Sequence, residues 1–262
     1  MPKPASTRSA YKMLTCIYLC RTLLFFAPYA DFYLKKCYLF KIMLEPFLSY
    51  HRKLVIAEEK VKFLENSDVV FNTVIQLLKK NGIHVWLDFG TLLGAYRDSD
   101  FIKNDFDMDF GAFGTDYDKI KTLMQENGFT SVREFFIAGH EYGRELTYRY
   151  KDVNFDFFFY YKKDDTDNLY TYTFSCPPNI LLEKGIELPA IVAEIKTPCK
   201  GFTEMNFKNT IVQIPANTDE YLKANYGEGY MTPDPNFNYV TDSPNLTWYS
   251  QEEISAKCII YN

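Results

Sequence analysis

Apolar positions between residues 54 and 80 recur at intervals of three and four, the spacing of one face of an amphipathic helix. Lys79 and Lys80 suit the negative end of that helix, and Asn81-Gly82 stops it. The next apolar run, 83–89 (IHVWLDF), reads as a buried strand. Gly90-Thr91 then predicts a tight turn, and residues 92–96 begin a short helix whose free backbone N–H groups point back toward the acidic stretch that follows. Thr115 with Asp118 resembles a capping box for a helix running to about residue 126, closed by Asn127-Gly128. Strand-like runs lie at 131–138, 145–151, 153–161, 169–174 and 211–215, and a Thr218-capped helix closes at Gly227. Cys176-Pro177-Pro178 reads as a turn, and the tail from Met231, rich in Pro, Asn and Asp, as a loop over the site or a frayed end.

Residues 11–50 break this regularity, because Arg21, Asp31, Lys35 and Lys36 interrupt the apolar run. No stretch approaches the ~20 uninterrupted apolar residues of a spanning helix, and no small-residue cleavage site argues for a signal peptide. The pattern predicts two short helices with aromatic faces, which either pack on the main domain, the commoner arrangement, or touch a membrane surface peripherally. The expected division is an N-terminal helical appendage, 1–52, and one larger domain, 53–262.

The chemistry concentrates between Trp86 and Gly111, WLDFGTLLGAYRDSDFIKNDFDMDFG, where Asp105, Asp107 and Asp109 stand at two-residue spacing among aromatic and apolar residues. In a strand, alternate residues share a face and rise about 6.6 Å over two positions. Asp107 and Asp109 can then grip metal from one side while Phe106, Met108 and Phe110 face the core. Burying three like charges is costly unless cations neutralise them, which argues for divalent metal. A solvated strand edge and a calcium loop are the bland alternatives, but the calcium motif wants glycine immediately after the third ligand, and Gly111 lies two places beyond Asp109. Asp156, alone in the apolar run VNFDFFFYYKK, needs a partner, either metal beside the triplet or a buried Arg or Lys. Arg97 is a phosphate clamp or, equally, the partner of Asp98 or Asp100.

Composition narrows the setting. The chain has 262 residues, 47% hydrophobic and 24% charged, ample for a large core. With a net charge of −5 and a pI near 5.4 it carries no electrostatic footprint for nucleic acid. Six scattered cysteines form no C-x-x-C pair, so structural zinc and a disulfide framework are disfavoured and a reducing, cytoplasmic setting is favoured. His51, His84 and His140 lack partners for a Ser-His-Asp or Cys-His triad.

In order along residues 60–235, GTLLGAYRDSDFIKNDFDMDFG, FDFFFYY and IPANTDEYLKANYGEGYMTP resemble the LicD/fukutin family of the nucleotidyltransferase superfamily. The resemblance implies an α+β fold with a mixed β-sheet flanked by helices, two Mg²⁺ or Mn²⁺ ions, and transfer of a phosphorylated alcohol from a CDP-alcohol donor to a hydroxyl of a glycan or glycolipid acceptor. The transferred group in such enzymes is of the phosphocholine or ribitol-phosphate type. The expected place is cytoplasmic, with membrane association through residues 11–50 as the alternative to packing, or the Golgi lumen if the source is a eukaryote. Asp107, Asp109 and Asp156 match the metal carboxylates, Gly90, Thr91 and Gly94 the phosphate-holding turn, and Arg97 the arginine after it. Asp105 matches a usually acidic position and is the candidate general base for the acceptor hydroxyl. Tyr226-Gly227 and Met231-Thr232-Pro233 match the C-terminal signature, while Lys103-Asn104 replaces the usual Pro-Trp and Phe89 and Phe106 are bulkier than usual. Attack at the α-phosphate, making a nucleotidylyltransferase, and a non-catalytic binding module of the same fold are the rival expectations.

Overall fold

A computed structural model describes residues 38–103, 105–176 and 183–261, with side chains from Ile56 onward. The chain separates into two units, Met1–Glu58 and Glu59–Asn262, and every described strand belongs to the second. Residues 38–50, expected to form short helices of their own, are the opening turns of one continuous helix, α1 (Tyr38–Lys80). Residues 1–37, and with them most of the segment expected to touch a membrane, lie outside the described residues. Among the described residues no helix is long and apolar enough to cross a membrane.

Within the second unit, α1 buries Phe63, Ser67, Val70, Phe71, Val74, Ile75 and Leu78, the stripe its three-and-four spacing dictates. Gly82, at φ +66°, lets the chain leave the helix end. There follow β1 (Val85–Leu87), α2 (Phe89–Arg97), β2 (Asp109–Phe113), a short 3-10 turn (Gly114–Asp116) and α3 (Tyr117–Glu126). Next come β3 (Thr130–Ile137), β4 (Arg144–Tyr150), β5 (Val153–Tyr160), β6 (Asn168–Ser175), β7 (Glu187–Pro198), β8 (Phe202–Phe207) and β9 (Thr210–Pro215). The remaining elements are α4 (Thr218–Tyr226), α5 (Tyr239–Asp242), β10 (Leu246–Tyr249) and β11 (Ala256–Ile260).

The strands make one mixed sheet in the order β10-β7-β11-β3-β4-β5-β2-β1-β9-β8, with β6 also paired to β7. The fold is therefore α+β, a large mixed sheet flanked by helices. The all-buried β1 lies between β2, antiparallel, and β9, parallel, and β2 runs parallel to β5. Phe71 of α1 packs on Phe110 of β2 at 6.0 Å between ring centres, which seats the helix on the sheet face opposite the acidic residues.

Several local expectations are corrected. The acidic run is not a strand throughout: only Asp109 opens β2, and Asp105 and Asp107 lie on the irregular approach to it. Asp88 caps a helix that starts at Phe89, so Gly90-Thr91 is the first helical turn rather than a free turn. Asp116, not Thr115, stands at the cap of α3, and Asn217, not Thr218, at that of α4, neither with a side-chain cap bond. Thr218 instead donates to the Pro215 carbonyl at 2.5 Å. The tail after Met231 is neither a loop alone nor frayed, because its residues supply β10 and the interior strand β11. Pro177 and Pro178 lie outside the described residues.

Candidate active site

Asp109 pairs in register with Asp156 on the parallel strand β5. Asp156 faces Thr147 on β4, and Thr147 faces Arg133 on β3. One polar row thus crosses four adjacent strands, while the next residues along, Phe110 and Phe157, pack together on the other face at 5.7 Å. The Thr147 hydroxyl donates to Asp156. Arg133 donates from Nη2 to Thr147 Oγ1 at 3.3 Å and lies 3.5 Å from the buried Glu145 carboxylate. Arg133, Thr147 and Glu145 are absent from the sequence-level site. Their signal is the two-residue alternation of RELTYRY, which puts Glu145 and Thr147 on one face.

The first turn of α2 closes the other side. Asp88, fully buried, accepts from the Phe89 N–H at 2.9 Å and from the Tyr221 hydroxyl at 2.8 Å, and Tyr221 lies 2.9 Å from the Tyr160 hydroxyl. Phe89 has φ +34°, a left-handed conformation costing on the order of 1–3 kcal/mol outside glycine. Its ring is held edge-on against Phe158 at 4.6 Å. The result is that the Gly90 N–H donates to Asp109 Oδ2 at 2.9 Å, and the Asp109 N–H donates to Thr91 Oγ1 at 2.8 Å. A Cβ on Gly90 would lie 2.5 Å from Asp105 Oδ2 and 3.2 Å from Asp109 Oδ2, so the missing side chain makes room for two carboxylates.

The structure thus gathers Gly90, Thr91, Asp105, Asp109 and Asp156, with Asp107 close enough to raise the proton affinity of its neighbours. Gly94 and Arg97 have other contacts. A Cβ on Gly94 would meet the Asp100 carbonyl at 2.5 Å and the Ile102 nitrogen at 2.9 Å, so its bareness admits the loop at 100–102. Arg97 grips Asp98 with Nε at 3.0 Å and Nη2 at 2.8 Å and donates to the Tyr230 carbonyl at 3.3 Å, the ion-pair alternative raised by the sequence.

Burial, followed by the Asp107 charge, raises Asp105, Asp109 and Asp156 above the ordinary carboxylate range, and Arg133 and Thr147 partly offset this at Asp156. Glu145 is likewise raised by burial and by Asp156, against the pull of Arg133. Burial pushes Asp88 up to about 6 despite hydrogen bonds from Tyr160, Tyr221 and the Phe89 N–H. The row is a concentration of negative charge that its surroundings only partly compensate. Among the described residues no three such side chains are already drawn together to hold a metal ion. The chemistry of the donor set nonetheless fits a hard divalent cation: oxygen ligands only, negative in excess, two of them on neighbouring strands and two on the irregular segment before β2. Two cavities, of about 430 Å³ beside Thr203 and Asn217 and about 280 Å³ beside His84 and Gln213, include none of these carboxylates.

A mixed sheet that gathers carboxylates beside the opening turn of a short helix is the architecture of a nucleotidyltransferase-type domain. The family described as LicD/FKTN/FKRP, nucleotidyltransferase domain, matches residues 82–217, just over half of the chain, and the chain belongs to it. It is 27% identical over 190 residues to human ribitol-5-phosphate transferase FKTN, covering 72% of this chain and 38% of that protein. The protein of that name from Macaca fascicularis is also 27% identical over 190 residues, with the same two shares, 72% and 38%. The one from Mus musculus is 28% identical over 186 residues, 70% of this chain and 37% of the relative. The chain spans well under half the length of these curated relatives.

Proposed function

We propose that this domain transfers a phosphorylated alcohol of the ribitol-phosphate type from a CDP-activated donor to a hydroxyl of a glycan or glycolipid. The observation that carries the reading is the in-register pairing of Asp109 with Asp156 beneath the Gly90 N–H. Family membership and the names of the FKTN relatives support the reaction class and the alcohol. Asp107, Asp109 and Asp156 would hold the divalent cations, Mg²⁺ or Mn²⁺. When bound, these neutralise charge on the transferring phosphate.

The chain's own residues do the rest. Thr147 and Arg133 fix the rotamer of Asp156, and Gly90 and Thr91 fix Asp109, so two carboxylates present rigid, oriented oxygens. Asp105, whose carboxylate lies with that of Asp109 over Gly90, would take the acceptor hydroxyl's proton. Incubation with Mn²⁺ and a panel of CDP-alcohols tests the reading. CMP release with the phospho-alcohol on the acceptor is expected, and Asp109→Asn or Asp156→Asn abolishes it without unfolding the chain. Nucleotide on the acceptor, or full turnover in either variant, would overturn it.

A further inference from the structure

Three cysteines lie among the described residues as free thiols, and two of them touch. Cys258 is fully buried in the middle of β11, opposite Phe135 of β3 on one side and Leu188 of β7 on the other. Cys176 directly follows β6 and is half-buried. Phe174 of β6 stacks on Phe135 at 5.2 Å with the rings 5° from parallel, which lays the end of β6 across the β3–β11 pair. The two sulfurs stand 3.4 Å apart although 82 residues separate them along the chain. Cys199, the third, is buried elsewhere and its thiol donates to the Gly201 carbonyl at 3.5 Å.

We propose that Cys176 and Cys258 are an oxidative modification site, closing to a disulfide that staples the end of β6 to the interior strand β11. This goes beyond the transfer reading and does not depend on it. Scattered spacing without a C-x-x-C pair gave no hint of the pair, because only the layering of β6 on the sheet brings the residues together. Sulfurs in contact need only a small further approach to reach bonding distance.

The chemistry assigns the two thiols different roles. Cys176 is the accessible one, whereas burial and the hydrogen bond with Cys176 push Cys258 up to about 12 and hold its proton. Arg133 lies within electrostatic range of Cys258 and opposes part of that rise. With a low-mass disulfide as oxidant, the Cys176 thiolate attacks one of its sulfurs, a mixed disulfide forms and the first small thiolate leaves. Cys258, losing its proton, then attacks Cys176 Sγ and expels the second. Two protein thiols are oxidised, one small disulfide is reduced to two thiols, and the two protons end on the leaving thiolates.

The full chain is exposed to oxidised glutathione, alkylated, digested and mapped by mass spectrometry. Expected are a linked peptide pair containing Cys176 and Cys258, two hydrogen masses lighter than its reduced parts, loss of two thiols reversed by dithiothreitol, and Cys199 still alkylated. Cys258→Ser is expected to stop at a stable glutathione adduct on Cys176. Should that variant fail to fold, the wild-type time course decides, showing the adduct rise and then give way to the linked pair. A persistent adduct on wild-type Cys176, both thiols left free, or linkage of either to Cys16, Cys20 or Cys37 would overturn the proposal.

Discussion

Replacing Gly90 by alanine separates the site from the fold. The new methyl would stand 2.5 Å from Asp105 Oδ2, where ordinary contact begins at 3.4 Å, so that carboxylate must retreat by about 0.9 Å. It can do so, because Asp105 lies on an irregular segment with no strand partner. Asp109, whose oxygen would lie at 3.2 Å and which is pinned by the Gly90 N–H and the Thr91 hydroxyl, needs only a few tenths of an ångström. Gly90 is in a helical turn without positive φ, so alanine gains roughly 0.5–1 kcal/mol of backbone entropy, which offsets the crowding. Stability should stay within about 1 kcal/mol of wild type, a shift in Tm of about 2–4 °C for a domain of this size. A displacement near 1 Å at a reacting group costs about 10²-fold, or roughly 2.7 kcal/mol of transition-state stabilisation. CMP release from the best CDP-alcohol, measured beside thermal unfolding on the same preparation, checks both halves. A folded G90A variant with kcat/KM within about threefold of wild type would refute the assignment of Asp105 and Gly90 to the site.

Gly111 faces a different obstacle. A Cβ there would lie 2.2 Å from two atoms of the fully buried Trp86 indole, so Gly111→Ala should destabilise by about 1–3 kcal/mol or more, and an unchanged urea midpoint would disprove it. Thr147→Val removes the hydroxyl that donates to Asp156 and accepts from Arg133 in a buried row, an expected loss of about 1–3 kcal/mol in urea titration at constant pH, and retention of wild-type stability would count against the network. Asp88, raised from 3.8 to about 6, favours the folded state while protonated and loses that contribution as pH rises through the folded value. Relative to Asp88→Asn, which keeps an acceptor for Phe89 and Tyr221, wild type should lose up to ~3 kcal/mol between pH 4 and pH 7, and parallel stability–pH curves would reject the assignment. Glu134 has the opposite sign. Burial alone would raise it, but hydrogen bonds from Lys121, Tyr117 and Tyr261 outweigh that and lower it below 4.5, so its contribution is present above that value and fades as acid titrates it. Glu134→Gln should therefore flatten the acid limb of the stability profile.

Much of the fold was legible because strong periodicity speaks locally. The helical stripe from Phe63 to Leu78, and the strands β3, β4 and β5, fall within a residue or two of their sequence-read bounds. The carboxylates were legible as a composition out of place, and the pairing of Asp109 with Asp156 follows from two short apolar strands lying side by side. What escaped depends on distant partners. β7 carries Pro189, Glu194 and Lys196 and reads as mixed sequence, becoming a strand because β6, β10 and β11 pair with it. β11 is five residues long in a polar tail, and only Ala256 and Cys258 facing the core identify it. Asp88 looked like part of an apolar strand, yet capping α2 and accepting from Tyr221 are what it does, and Tyr221 lies 133 residues further on. Arg97 could not be divided between phosphate and Asp98 by spacing alone, and the structure holds it on Asp98.

The insertion of β11 between β3 and β7 bears on biosynthesis. Until residue 260 has left the ribosomal tunnel, β3 and β7 each display an edge of unsatisfied amide and carbonyl groups on a chain rich in phenylalanine and tyrosine. Such a nascent intermediate invites strand exchange with its neighbours, so premature stops in this stretch should reach inclusion bodies rather than the soluble fraction.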